Sequence, residues 1–122
     1  MKLMNKNLKL VVDNVSNKNH ENYFFEKNEL KIILNLYAKM VSLGSWKDYG
    51  LNISNKKIEF SVFKNAAEIA MYKICKNFKP SNNNLKYLVT DSKGIIYKNS
   101  NDLDDLLRNI NWKKLSSLPK QS

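Results

Sequence analysis

Residues 26–53 read EKNELKIILNLYAKMVSLGSWKDYGLNI, and within this stretch the spacing of the apolar residues changes from a helical to a strand period. In the first part the apolar residues recur every three or four positions, which places them on one stripe of an α-helix. They are Leu30, Ile33, Leu34, Tyr37 and Val41. The pattern therefore predicts an amphipathic helix at the start of the folded domain.

The ends of this helix carry the signals that such ends usually have. Glu26 and Glu29 lie near its start and Lys39 near its end, which is the polarity that the helix dipole favours. Gly44 is placed to end the helix. We therefore expect the helix to run from about residue 26 to about residue 43.

The residues after this helix predict an antiparallel sheet. Alternating apolar residues from Tyr49 to Ile53, a turn at residues 55–57 and a returning strand from Ile58 to Val62 form a β-hairpin. A third strand is predicted over residues 69–78, with apolar residues on both faces, which is typical of a central strand. Residues 85–90 and 94–98, joined by a turn that contains glycine, form a second hairpin. Five strands in meander order follow.

A second helix follows the sheet. Leu103, Leu106, Leu107 and Ile110 have helical spacing, and Ser100 or Asn101 can cap the helix start. The predicted fold class is α+β, with an N-terminal amphipathic helix, an antiparallel meander sheet of four to five strands and a C-terminal helix.

The domain organisation follows from the same patterns. We expect a polar N-terminal arm over residues 1–24, in which residues 8–12 are either a short edge strand or a loosely attached segment. Residues 25–111 form the single α+β domain, and residues 112–122 form a C-terminal extension whose end frays. No apolar run is long enough to cross a bilayer, and no export signal is recognised. The lone cysteine, Cys75, agrees with a reducing compartment, so we predict a cytoplasmic protein.

The net charge of +10 at pH 7 is the strongest compositional signal, and it predicts an anionic partner such as RNA or DNA. However, 20 of the 21 basic residues are lysine, and the richness in Lys, Asn and Ile is what an AT-rich coding sequence produces. Arginine is the residue that reads base edges and clamps phosphate in a bidentate way. The charge therefore predicts electrostatic binding with little sequence preference.

Two segments resemble a known family. They run from Phe25 to Tyr49, with Gly44, Trp46 and Asp48 as the most specific positions, and from Phe60 to Ile74. Together they are similar to an uncharacterised alphaproteobacterial family, the domain of unknown function 2794 (DUF2794). The similarity runs from about residue 25 to residue 110 and implies a fold outline but no catalytic residue.

This sequence departs from the family pattern mainly at basic positions. Family members carry arginine where this chain has Lys27, Lys39, Lys47, Lys64 and Lys73. The family also often has proline where this chain has alanine at position 70. Either the basic positions matter as charge, or base composition exchanged one residue for the other.

Two groups of residues are candidates for binding nucleic acid. The loop from Trp46 to Tyr49 joins two aromatic rings to a lysine and an aspartate, although such rings more often plug a junction in the core. In the sheet, basic and aromatic residues interleave, although a solvated lysine fringe is the more common reading. The predicted nucleic-acid-binding residues are Trp46, Lys47, Tyr49, Lys64, Tyr72, Lys73 and Lys76.

No catalytic or metal-binding motif is recognised. The only histidine, His20, is far along the chain from Cys75, and zinc needs three or four such ligands. We therefore predict a binding module that is not an enzyme and has no cofactor. As the alternative function, the extra apolar residues of the first helix, Ile32, Leu36 and Leu43, form the interface of a protein-interaction adaptor or of a homodimer.

Overall fold

The computed structural model describes residues 23–64 and 69–112. In chain order the elements are α1 (Lys27–Ser42), β1 (Asp48–Ile53), β2 (Lys57–Phe63), β3 (Tyr72–Asn77), a short 3-10 helix (Asn83–Leu85), β4 (Tyr87–Thr90), β5 (Ile96–Ser100) and α2 (Leu103–Arg108). The α+β class, with a helix on each side of the sheet in the sequence, is confirmed. The predicted strand at residues 8–12 and the predicted fraying beyond residue 112 lie outside the described residues.

The five strands form one antiparallel sheet in the order β1-β2-β3-β4-β5, so each strand pairs with its neighbour in the chain. This meander places β3 in the centre, as predicted. Phe60 faces Ile74 and Ile74 faces Val89, so these apolar side chains share what we call the core face. Side chains along a strand point alternately to the two faces of the sheet. Glu59 faces Cys75 across the ladder and therefore lies on the opposite face, which we call the second face.

Several element ends differ from those predicted, because side-chain hydrogen bonds determine them. Strand β5 begins at Ile96 and not at Gly94, since the Asp91 carboxylate accepts from the backbone N–H groups of Lys93 and Ile95 and holds the turn. Helix α2 is capped by Asp102, whose side chain accepts from Asp105 N at 2.9 Å, and not by Ser100 or Asn101. Such local hydrogen bonds cannot be predicted from the spacing of the apolar residues.

The third and fourth strands are also shorter than predicted. Strand β3 begins at Tyr72 and ends at Asn77, within the predicted range of 69–78. Strand β4 begins at Tyr87 because the 3-10 helix takes the preceding residues, with the Asn82 side chain accepting from Asn84 N. Gly44 has a φ of 78°, and its N–H donates to Val41 O, which ends α1 as predicted.

Both helices contribute to a core on one face of the sheet. From α1, Tyr37 contacts the rings of Tyr49 and Phe60, with centroid distances of 5.0 and 5.9 Å. From α2, the buried side chains are Leu103, Leu106 and Leu107. Phe24 and Trp112 are also buried in this core, although they lie just outside the predicted domain range of 25–111.

The wide apolar stripe of α1 is partly explained by this packing. Ile32 and Leu36 are half-buried and pack against the core. Leu43, in contrast, is 65% exposed. Two of the three residues predicted to form a protein interface are therefore engaged within the chain.

A buried ion pair holds the start of α1 against the sheet. Glu29 on α1 accepts a hydrogen bond from Lys76 Nζ on β3 at 2.7 Å and another from the Tyr87 hydroxyl on β4. Lys76 Nζ also donates to Phe24 O at 3.0 Å, and Glu26 N donates to Glu29 Oε1 at 2.7 Å. The three side chains that meet here, Glu29, Lys76 and Tyr87, are all buried; we call them the anchor triad.

We expect the Lys76→Met substitution to lower the free energy of unfolding by about 3–5 kcal/mol, because it leaves the Glu29 carboxylate buried without its counter-ion. Urea denaturation followed by circular dichroism measures this change. The matched control is Arg108→Met, which breaks the exposed pair of Arg108 with Asp104 and should change stability by no more than about 0.5 kcal/mol. Equal losses in both variants would contradict the role of the anchor triad.

Candidate nucleic-acid interface

The three aromatic residues predicted to bind nucleic acid are buried in the core. The Trp46 ring meets Trp112 edge to face at a centroid distance of 5.3 Å. Tyr49 stacks on Phe60 at 4.8 Å, with only 9° between the rings. Tyr72 contacts Trp112 at 5.9 Å. Their rings pack against protein and are not open to a base, so the prediction for Trp46, Tyr49 and Tyr72 is corrected.

Lys76 also cannot take the predicted role. It alternates in step with Tyr72 and Ile74 along β3, so its side chain lies on the core face, where it pairs with Glu29. Only 5% of its surface is exposed. A phosphate cannot reach this ammonium group without breaking the anchor triad, so Lys76 is a structural residue.

The remaining predicted lysines are accessible, and the structure brings two of them together. Lys47 precedes β1 and Lys64 follows β2, so both lie at the same end of the first hairpin, and both are exposed. Their backbones are adjacent, since Lys47 N donates to Phe63 O at 2.7 Å. Lys73 lies on the second face of β3, opposite Ser61, and its side chain is 26% exposed.

An aromatic ring that was not among the predicted site residues lies at the same end of the first hairpin. Phe63 has the strand parity of Glu59 and Ser61, so its side chain lies on the second face, where it is half-buried. The ring lies over Gly50, with Cε1 3.8 Å from where a Cβ on that glycine would be. The period of two along a strand predicts this position, because Phe63 comes three residues after Phe60 and therefore lies on the opposite face. We call Phe63 with Lys47, Lys64 and Lys73 the Phe63 site.

Two acidic residues in the described part of the chain border the Phe63 site. Asp48 faces Phe63 across the β1–β2 ladder and is exposed. Its Oδ1 accepts from the backbone N–H of Tyr49 at 2.8 Å, so one carboxylate oxygen is engaged by its own strand. Burial, with the nearby Asp48 charge, raises the pKa of Tyr49, so this phenol stays neutral. The second is Glu59, whose carboxylate lies 3.9 Å from Lys73 Nζ, so the site carries three lysines against two carboxylates.

A second polar group on this face surrounds Glu59. The Glu59 carboxylate lies 3.1 Å from Lys57 Nζ and 3.9 Å from Lys73 Nζ, and Asn52 donates to it at 3.4 Å. The Cys75 thiol lies 3.8 Å away. We call these residues the Glu59 cluster.

The Glu59 cluster contains neither a base nor a nucleophile that is poised near neutral pH. Burial alone would raise the pKa of Glu59, but the hydrogen bond and charge of Lys57, together with Lys73 and Asn52, bring its net pKa below the usual value. Burial, and next the Glu59 charge, raise the pKa of the Cys75 thiol to about 11. At pH 7 the carboxylate is therefore ionised and neutralised by lysine, and the thiol is protonated.

We expect Cys75 to be unreactive in the folded protein, because with a pKa of about 11 only about one thiol in a thousand is ionised at pH 8. Ellman's reagent, added at pH 8 with and without a denaturing concentration of guanidinium chloride, measures this directly. The reaction should be slow in buffer and should reach one thiol per chain in denaturant. Rapid reaction of the folded protein would contradict the burial of this thiol.

Neither a metal-binding group nor a membrane-spanning helix is found among the described residues. In residues 23–64 and 69–112, no group of three or more His, Cys, Asp or Glu side chains could hold a metal ion. Within the same ranges, no helix is both long and apolar enough to cross a membrane.

Comparison with known proteins shows the family but no characterised relative. No curated protein and no solved structure is significantly similar to this chain. The family model described as protein of unknown function (DUF2794) matches residues 23–107, which is well over half of the chain and includes α1, the whole sheet and most of α2. The chain therefore belongs to the DUF2794 family.

Proposed function

We propose that this protein is a non-catalytic, cytoplasmic module that binds nucleic acid with little sequence preference, and that it does so through the Phe63 site. The observation that carries the proposal is the position of Phe63, a half-buried ring on the second face at the end of the first hairpin, where exposed Lys47 and Lys64 also lie. Lys73 lies on the same face of the neighbouring strand. A ring of this kind can stack on a base of any identity, while lysines contact the phosphates.

The charge of the chain supports the same function. The net charge is +10, and two of the acidic side chains, Glu29 and Glu59, are buried in ion pairs with lysine. Lys47 and Lys64 add positive charge at the end of the hairpin that carries Phe63, while Lys73 shares its charge with Glu59. Lysine contacts phosphate as a point charge and does not read a base edge as arginine does, which favours binding that is indifferent to sequence.

A second candidate function, contact with a protein partner through α1, has less support. Ile32 and Leu36 are partly covered by the core, so the larger exposed apolar side chains here are Val41, which is 39% exposed, and Leu43, which follows α1 directly. An interface usually has a contiguous apolar centre. The helix face therefore supplies a smaller surface than its sequence predicts.

Neutralising the three lysines of the Phe63 site should weaken binding and its salt dependence. We expect the triple variant Lys47→Gln, Lys64→Gln, Lys73→Gln to reduce the slope of log affinity against log salt by about two for single strands, because each phosphate contact contributes about 0.7. Fluorescence anisotropy of labelled RNA and DNA between about 50 and 200 mM salt measures it.

The matched control for this experiment changes three lysines of α1. Lys27→Gln, Lys31→Gln, Lys39→Gln removes the same charge from exposed positions away from the Phe63 site and should leave the slope nearly unchanged. Equal weakening in both triple variants would show that net charge, and not this site, determines binding. Absence of binding by the unchanged protein at low salt would overturn the proposed function.

The Phe63 ring should matter for single strands and not for duplexes, whose bases are already stacked on one another. We expect Phe63→Leu to weaken single-strand binding by about 1 kcal/mol or more, since stacking of a base on an aromatic ring contributes about 1–3 kcal/mol. Phe63→Tyr, which keeps the ring, should bind nearly as the unchanged protein does. The anisotropy titration with single-stranded and duplex probes separates these cases; equal affinity of the Leu and Tyr variants would exclude stacking.

A further inference from the structure

Five residues of the second face line up in one row across the whole sheet. The strand registers place Gly50 opposite Ser61, Ser61 opposite Lys73, Lys73 opposite Thr90 and Thr90 opposite Ile96. Side chains that are directly opposite each other in an antiparallel pair lie on the same face. The row therefore runs from β1 to β5, on the face opposite the core to which both helices contribute. We call these five residues the transverse row.

The two ends of the transverse row carry apolar side chains, and the residues between them include short ones. At the β1 end, the Phe63 ring lies over Gly50. At the β5 end, Ile96 is 46% exposed. Between these ends, Ser61 is half-buried and Thr90 is buried, and both side chains are short. The row is thus a shallow track with an aromatic ring at one end and an isoleucine at the other.

The lysine in the middle of the transverse row indicates the chemistry of its occupant. The side chain of Lys73 is 26% exposed. The carboxylates beside the row have partners of their own, since Glu59 also pairs with Lys57 at 3.1 Å. Asp91 accepts from two backbone N–H groups of its own turn, and exposed Lys93 lies in the same turn. A ligand that is apolar at both ends and anionic between them, as bases joined by phosphates are, matches this track.

We propose that a single strand of nucleic acid lies along the transverse row, with one base on Phe63, another base against Ile96 and the phosphates between them near Lys73. This inference rests on the proposed function and defines the length of strand that the protein covers. Four strand spacings separate β1 from β5, which corresponds to roughly 19 Å. Bases that stack at about 3.4 Å span this distance with roughly six nucleotides. A duplex, whose bases are paired and stacked, cannot make both contacts.

Ile96→Thr tests the contact at the β5 end. Threonine keeps the branched β carbon that suits a strand but has less apolar surface. We expect this variant to bind a labelled single-stranded DNA of six nucleotides about fivefold more weakly, because part of the apolar burial of an isoleucine is lost. The matched control is Ile53→Thr, which changes an isoleucine that is also 46% exposed, on the other outer strand and the other face, and should leave the affinity unchanged. Circular dichroism establishes that both variants are folded.

Probes that lack one base test whether the two side chains contact the two ends of the same strand. One six-nucleotide probe carries an abasic site at its 5′ end and another carries it at its 3′ end. Phe63→Leu should lose its effect with one of these probes and Ile96→Thr with the other, because a substitution has no effect on a contact that is already absent. The pairing of each variant with one end of the probe gives the direction of the strand along the transverse row.

Several results would overturn this path for the nucleic acid. If Phe63→Leu weakens binding of the complete probe and Ile96→Thr does not, the strand does not reach β5, although the proposed function stands. Equal weakening in Ile96→Thr and Ile53→Thr, or loss of both effects with the same abasic probe, also contradicts the path. If the unchanged protein binds no single strand even at low salt, the proposed function fails and the path fails with it.

Discussion

The position of α1 on the sheet depends on the buried pair of Glu29 and Lys76. Removing two charges from water is unfavourable, and the pair is tolerated because Tyr87, Phe24 O and Glu26 N supply the further hydrogen bonds that the two groups need. These partners come from the start of the helix and from two neighbouring strands, so they are satisfied together only when the helix lies across β3 and β4. The helix thereby covers one face of the sheet, and the lysines and the phenylalanine of the Phe63 site are left on its other side and at its end.

The elements of this fold were predictable from the sequence because each depends on local periodicity. The helical stripe from Leu30 to Val41 and the alternation around Phe60 are visible in short windows, and the meander follows from short connections. The ends of the elements were less predictable, because side chains such as those of Asp91 and Asp102 decide them by hydrogen bonds to nearby N–H groups. A sequence contains several candidates for each such bond, and only the folded backbone selects one.

The candidate site was harder to predict than the fold, for a different physical reason. Neighbouring residues of a strand lie on opposite faces, so Lys73 and Tyr72 are on different faces of β3. This alternation does not determine which of the two faces the helices cover. That choice depends on contacts such as the one between Lys76 and Glu29, which are 47 residues apart in the chain. Tyr72 and Lys76 were therefore assigned to an open surface although both are buried, while Phe63, on the opposite parity to Phe60, was left out of the predicted site. Once the anchor triad identifies the covered face, the positions of these side chains follow from the strand period alone.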